Sequence, residues 1–175
     1  GSASFSVMAN TLRGVYGTDV LLATANSFTG SVLQADYNKK MAASMIMPNG
    51  LMSRQRTMTG AELKETVRAF VEGCEGGFVP FNRGSLPVVS GIAVEVKEAS
   101  GSYTLTGITR NGQPLKDDDT VTVTCLAAEK QMEALLASES GTSLDGDTWV
   151  KTTWRDYVSG GGAALAEPEN DITLR

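Results

Sequence analysis

The chain has 175 residues, of which 41% are hydrophobic and 20% charged, enough for a sizeable core in one domain or in two small lobes that share it. Its net charge is −5 and Lys and Arg form no long stripe, which argues against binding nucleic acid through its phosphates. It contains no histidine, which excludes Ser-His-Asp and Cys-His catalysis within this chain and removes the commonest metal ligand.

Gly1-Ser2 reads as a cloning scar, so residues 3–175 are expected to be a fragment of a longer protein. No stretch of about 18 apolar residues is present to span a membrane. Residues 5–17 place Phe5, Met8, Leu12 and Val15 near helical spacing and predict a short helix ended by Gly17. "TDVLLATAN" is a continuous apolar run of the kind a buried strand needs. "NKKMAASMIM" predicts a short helix ended by Pro48 and Gly50. "LMSRQRTM" alternates as a strand, with Leu51, Ser53, Gln55 and Thr57 on one face and Met52, Arg54, Arg56 and Met58 on the other. Arg54 and Arg56 on one face can hold a phosphate or carboxylate, or form a solvated edge.

Thr59 and Glu62 form a T-x-x-E capping box, and Leu63, Val67, Phe70 and Val71 repeat at helical spacing up to a stop at Gly73. "GGFVPFNRG" is a glycine-rich loop whose Phe78, Phe81 and Arg83 can stack a flat ligand or plug a core edge. "LPVVSGIAVEV" predicts a strand interrupted by glycine, followed by strands "YTLTGITR" and "DTVTVTCLA" around the turn "NGQPLKDDD". "KDDD" reads as a solvated turn, because no spaced ligand loop for Ca²⁺ surrounds it. Residues 127–137 and 148–158 predict two more helices, the second carrying Trp149 and Trp154 as core or platform, and "DITLR" a last strand. The Gly160–Gly162 run lacks the Lys-Ser/Thr of a P-loop. Cys74 and Cys125 lack metal-ligand spacing; they are two free buried thiols, or one disulfide in an oxidising compartment. The residues alone thus describe an α+β, or mixed α/β, domain without an evident catalytic centre.

The order "GTDVLLATAN", "MPNGLMSRQRTMTGAELKETV", "LPVVSGIAVEV", "LTGITRNGQPLKDDDTVTVTCLA" resembles the C-terminal domain of the 5′-nucleotidase, UDP-sugar hydrolase and cyclic phosphodiesterase family. The resemblance runs from about residue 8 to 128 and continues more weakly to the end. It implies a four-layer α/β/β/α domain that binds the base and ribose of a nucleotide-like substrate. It also implies a partner, an N-terminal metallophosphatase domain of the same polypeptide that carries two divalent metals and the catalysis. On this reading the chain itself holds no catalytic residue, cofactor or metal, contacts neither nucleic acid nor membrane, and works outside the cell, at its surface or in the periplasm.

The family's N-G-G-I-R pattern falls on residues 26–30, where Asn26 matches and Gly30 stands at the arginine place. Its P-F-G-N pattern falls on 48–51, where Asn49 stands at the base-stacking phenylalanine place. The second stacking place aligns with Leu126, and the following G-G-D-G run is absent. Phe28, or Phe78 with Phe81, are the rings expected to substitute as stacking faces. The resemblance therefore implies a substrate-binding set of Asn26, Phe28, Asn49, Leu126, Phe78 and Phe81. Its alternative is a domain that kept the fold, lost the site and serves as a structural or interaction module.

Overall fold

The structure, a computed structural model, describes residues 3–24, 51–72, 87–128, 142–143, 148–159 and 172–174. Helix α1 spans Ala3–Tyr16 and buries Met8, Ala9 and Leu12. It ends as the sequence predicts. Gly17 takes φ +67°, its N–H bonds to Gly14 O at 3.2 Å, and Thr18 N–H bonds to Arg13 O at 3.2 Å. These are the two bonds of a Schellman motif, which satisfy helix carbonyls that would otherwise face the turn without donors.

Strand β1 (Val20–Thr24) follows, with Val20, Leu21, Leu22 and Ala23 all fully buried. The continuous apolar run has its cause in the sheet: β1 lies between β3 (Pro87–Ser90) and β7 (Thr120–Ala128) and is covered on both faces. Strand β2 (Leu51–Thr59) pairs antiparallel with β7 from Leu51–Ala128 to Thr59–Thr120. Short strands β8 (Thr142–Ser143) and β9 (Thr148–Trp149) close its other edge. A second sheet runs in the order β10 (Ile172–Leu174), β4 (Ala93–Ala99), β5 (Ser102–Arg110), β6 (Gln113–Pro114).

The glycine interruption in "LPVVSGIAVEV" proves to be a change of sheet. β3 belongs to the first sheet and β4 to the second, and Gly91 between them takes φ +85°. The hairpin ends of the second sheet are tight. Ser100 and Gly101, then Asn111 and Gly112, pair positive φ values of 54° and 82°, and of 51° and 75°. Two successive left-handed residues are what a type I′ hairpin turn requires.

Helix α2 (Gly60–Glu72) starts with the predicted capping box. Thr59 N–H donates to Glu62 Oε2 at 2.8 Å, and Glu62 N–H donates to Thr59 Oγ1 at 3.2 Å. A second clamp was not legible in the sequence. Gly60 N–H bonds to Asp119 O at 2.7 Å and Ala61 N–H to Asp117 O at 3.1 Å, while Lys64 pairs with Asp117 at 2.6 Å. The "KDDD" turn thus supplies main-chain acceptors to donors that the helix start leaves open. Its Asp119 carboxylate folds back on Lys116 N–H at 2.9 Å.

Two cores result. The inner one packs Val20, Leu22, Met58, Val121 and Val123 of the first sheet against Leu63, Val67 and Phe70 of α2 and Val94, Val96 and Ile108 of the second sheet. The outer one packs Leu21, Ala23 and Leu126 against α1 and against α3 (Val150–Ser159), which contributes Val150 and the fully buried Trp154. Trp154 is core, its ring centroid 6.2 Å from that of Tyr157. Trp149 belongs to β9 rather than to the expected helix, because β2 recruits its backbone next to Met52. Ala127 and Ala128 likewise extend β7 instead of opening a helix. The rest of that expected helix, the helix expected near Pro48, the glycine-rich loop expected over 73–85 and the 160–162 glycines lie outside the described residues. The whole is an α+β fold of helices packed on two sheets.

Candidate functional site

Of the residues expected to bind substrate, Asn26, Phe28, Asn49, Phe78 and Phe81 lie outside the described residues, as do Gly30, Arg83 and Cys74. Their placement along the chain is still informative. β1 runs parallel to β7 and Leu51 pairs with Ala128, so Thr24, Leu51 and Ala128 share one end of the first sheet. Asn26 and Asn49 follow and precede these strands by two residues. Leu126 is fully buried in the outer core beneath α1 and α3, and offers no face on which a base can stack.

The arginines of β2 do not form a solvated edge. The strand is internal, Arg56 retains only 9% exposure and Arg54 is half-buried. Arg54 pairs in register with Cys125. Burial pushes the free Cys125 thiol up to about 12, and the charges of Arg56 and Arg54 recover only part of that shift. The thiol therefore stays protonated near neutrality and is a packing group, not a nucleophile.

At the opposite end of the first sheet, a polar cleft of about 540 Å³ opens between the end of α1, the β3–β4 crossing and the β5–β6 turn. Arg13, Thr18, Asp19, Arg110 and Asn111 line it. Asp19 organises the site. Its Oδ1 accepts Arg110 Nη2 at 2.6 Å, and its Oδ2 accepts both the N–H and the hydroxyl of Thr122 at 2.9 Å. Its own N–H donates to Thr122 Oγ1 at 2.9 Å. The aspartate thereby ties β1 to β7 and to the second sheet through β5.

Arg13 reaches the same centre from α1. Its Nε donates to Ser90 Oγ at 2.8 Å and its Nη1 to the Asp19 carbonyl at 3.5 Å. Ser90 is fully buried and its hydroxyl donates to Asn10 Oδ1 in a short hydrogen bond. A second cleft of about 480 Å³ adjoins, sharing Arg110 and Asn111 and reaching Lys116 and Asp119.

Burial pushes the Asp19 carboxyl up, but the Thr122 hydrogen bonds and the Arg110 charge outweigh it and hold it below the ordinary 3.8. A depressed carboxylate stabilises the fold above its unfolded value and loses that contribution as pH falls through the folded one. Asp19→Asn is therefore expected to cost about 1–2 kcal/mol at neutral pH, the lower part of the range for charged hydrogen bonds because Asp19 is about a third exposed. The cost should shrink below pH 3.8, which urea melts at several pH values would show.

The described residues offer no cluster suited to a two-metal centre. The sequence has no histidine, and among the described residues no group of three or more Cys, Asp or Glu converges on one point. Among the described residues no helix is long and apolar enough to cross a membrane.

No protein-family model matches the chain, and no curated protein matches it by sequence. Solved structures do match its fold. A 5′-nucleotidase precursor from Thermus thermophilus superposes with TM-score 0.64 at 13% identity, over 98% of this chain and 34% of its own. The sulfate thiohydrolase SoxB of the same organism, solved with glycerol, gives 0.67 at 11% identity, over 99% and 32%. The NAD nucleotidase of Haemophilus influenzae gives 0.66 at 14% identity, over 100% and 33%. The chain spans about a third of the length of these proteins, and its fold is that of the 5′-nucleotidase C-terminal domain.

Proposed function

We propose that this chain is the substrate-recognition domain of a longer 5′-nucleotidase-like phosphohydrolase that acts at the cell surface, in the periplasm or outside the cell. The observation that carries the reading is the match of nearly the whole chain to about a third of each larger protein. In this reading the remaining two thirds supply an N-terminal metallophosphatase domain, whose two divalent metals supply the nucleophile and the clamp on the phosphate. The residues of this chain hold the organic part of a nucleotide or related phosphoester. The segments carrying Asn26, Phe28, Asn49, Phe78 and Phe81 are the binding elements.

A second reading has its own support. Gly30 and Asn49 stand where the resemblance expects an arginine and a stacking ring, and Leu126 is closed inside a core. Two lost stacking faces remove roughly 1–3 kcal/mol each. That favours a domain that kept the fold as a structural module, or one with altered specificity. Superposable folds in a sulfate thiohydrolase and in nucleotidases are compatible with such divergence.

The test is phosphate release by the full polypeptide. Metal-dependent hydrolysis of AMP or a UDP-sugar, abolished by EDTA and restored by divalent metal, is the expected result. A full polypeptide without D-x-H and G-N-H-[DE] motifs and without such activity would favour the structural module.

A further inference from the structure

The geometry points to a binding site for a phosphate-type oxyanion in the cleft between Arg13 and Arg110. Both guanidinium groups are anchored before any ligand arrives. Arg110 is held by Asp19 through Nη2, and Arg13 by the buried Ser90–Asn10 pair and the Asp19 carbonyl. Each keeps donors that none of these bonds uses: Nε and Nη1 on Arg110, Nη2 on Arg13. Among the described residues Arg13 makes no ion pair with a carboxylate.

Asp19, the only carboxylate among the described residues lining this cleft, already accepts three hydrogen bonds. An entering anion therefore meets guanidinium donors more than it meets repulsion. The local balance is two positive charges against one negative, in a chain whose net charge is −5. Guanidinium groups held in place in this way donate to phosphate oxygens, and little side-chain entropy is left to lose on binding. The cleft volume of about 540 Å³ admits more than inorganic phosphate, and the adjoining cleft leads toward Lys116. The site lies at the end of the first sheet opposite Thr24, Leu51 and Ala128, and it does not rest on the function proposed above.

Residue-resolved NMR of the chain, titrated with inorganic phosphate and separately with glycerol 3-phosphate at constant ionic strength, tests this. Saturable shifts of the Gly17, Thr18, Asn111 and Gly112 amides are expected, absent with sodium chloride alone. Tighter binding of the ester would identify a phosphomonoester as the ligand; equal or weaker binding would identify free phosphate. Arg13→Gln should weaken binding at least tenfold, and Arg13→Lys should weaken it less. Should Arg13→Gln fail to fold, the wild-type titration against chloride decides. Non-saturating shifts, shifts reproduced by chloride, or unchanged affinity in a folded Arg13→Gln protein would overturn the site.

Discussion

Gly91→Ala is expected to destabilise the protein by about 4 kcal/mol, a large part of a typical stability of about 5–15 kcal/mol. Two costs combine. At φ +85° an L side chain is strained by roughly 1–2 kcal/mol. The new Cβ would also stand 2.0 Å from the Asp19 carbonyl oxygen, a main-chain atom that cannot rotate away. Moving it would disturb the residue that links β1 to β7 and to β5. Gly101→Ala is the control. Gly101 has a similar φ of +82° but open space where its Cβ would be, so it bears the strain alone. Thermal unfolding should therefore show a shift for Gly91→Ala about two to four times that for Gly101→Ala. Equal shifts would mean the Asp19 contact carries no energy.

Gly60→Ala makes a sharper test, because two principles predict opposite signs. Alanine is the better helix former by about 1 kcal/mol, and Gly60 begins α2 without a positive φ. Propensity alone would make the substitution stabilising. Its Cβ, however, would meet the Lys116 carbonyl oxygen at 1.8 Å, inside the turn whose Asp119 and Asp117 carbonyls cap the helix. Overpacking of this kind costs about 1–3 kcal/mol or more where backbone must move, and the capping bonds would weaken with it. The packing cost should win, giving a net loss of roughly 2 kcal/mol in urea unfolding. A gain in stability would show that the turn yields freely.

These two glycines are also what made the chain readable. "TG" before the helix and "VSG" between strands carried the resemblance, and each has a steric reason: main chain from elsewhere occupies the space of a side chain. The elements with strong local signals were legible for the same kind of reason. α1 has its Schellman glycine, α2 its capping box and apolar stripe, and the Asn111-Gly112 turn its two left-handed residues.

What was not legible depends on distance along the chain. Arg13, Ser90, Arg110 and Thr122 gather around Asp19, Thr122 from 103 residues away along the chain, and no spacing rule brings them together. Arg56 reads as a surface residue because alternation shows one face of β2; the closure of both faces is a tertiary fact. Trp149 fits a helical period, but pairing with β2 outweighs its local preference. The change of sheet at Gly91 leaves the same sequence trace as a bulge. Leu126, aligned by resemblance with a stacking position, follows the alternation of β7 into the outer core instead.

The proposed recognition of the organic part of a nucleotide-like substrate is put to the test by NMR titration of the chain with adenosine. Adenosine carries no phosphate and so does not engage the arginine cleft. Saturable shifts are expected, at millimolar ligand, for the amides of Thr24, Leu51, Met52 and Ala128, which border the segments carrying Asn26 and Asn49, while Asn111 and Gly112 stay in place. Titration of adenosine and of uridine without any shift at that end of the sheet would contradict the claim.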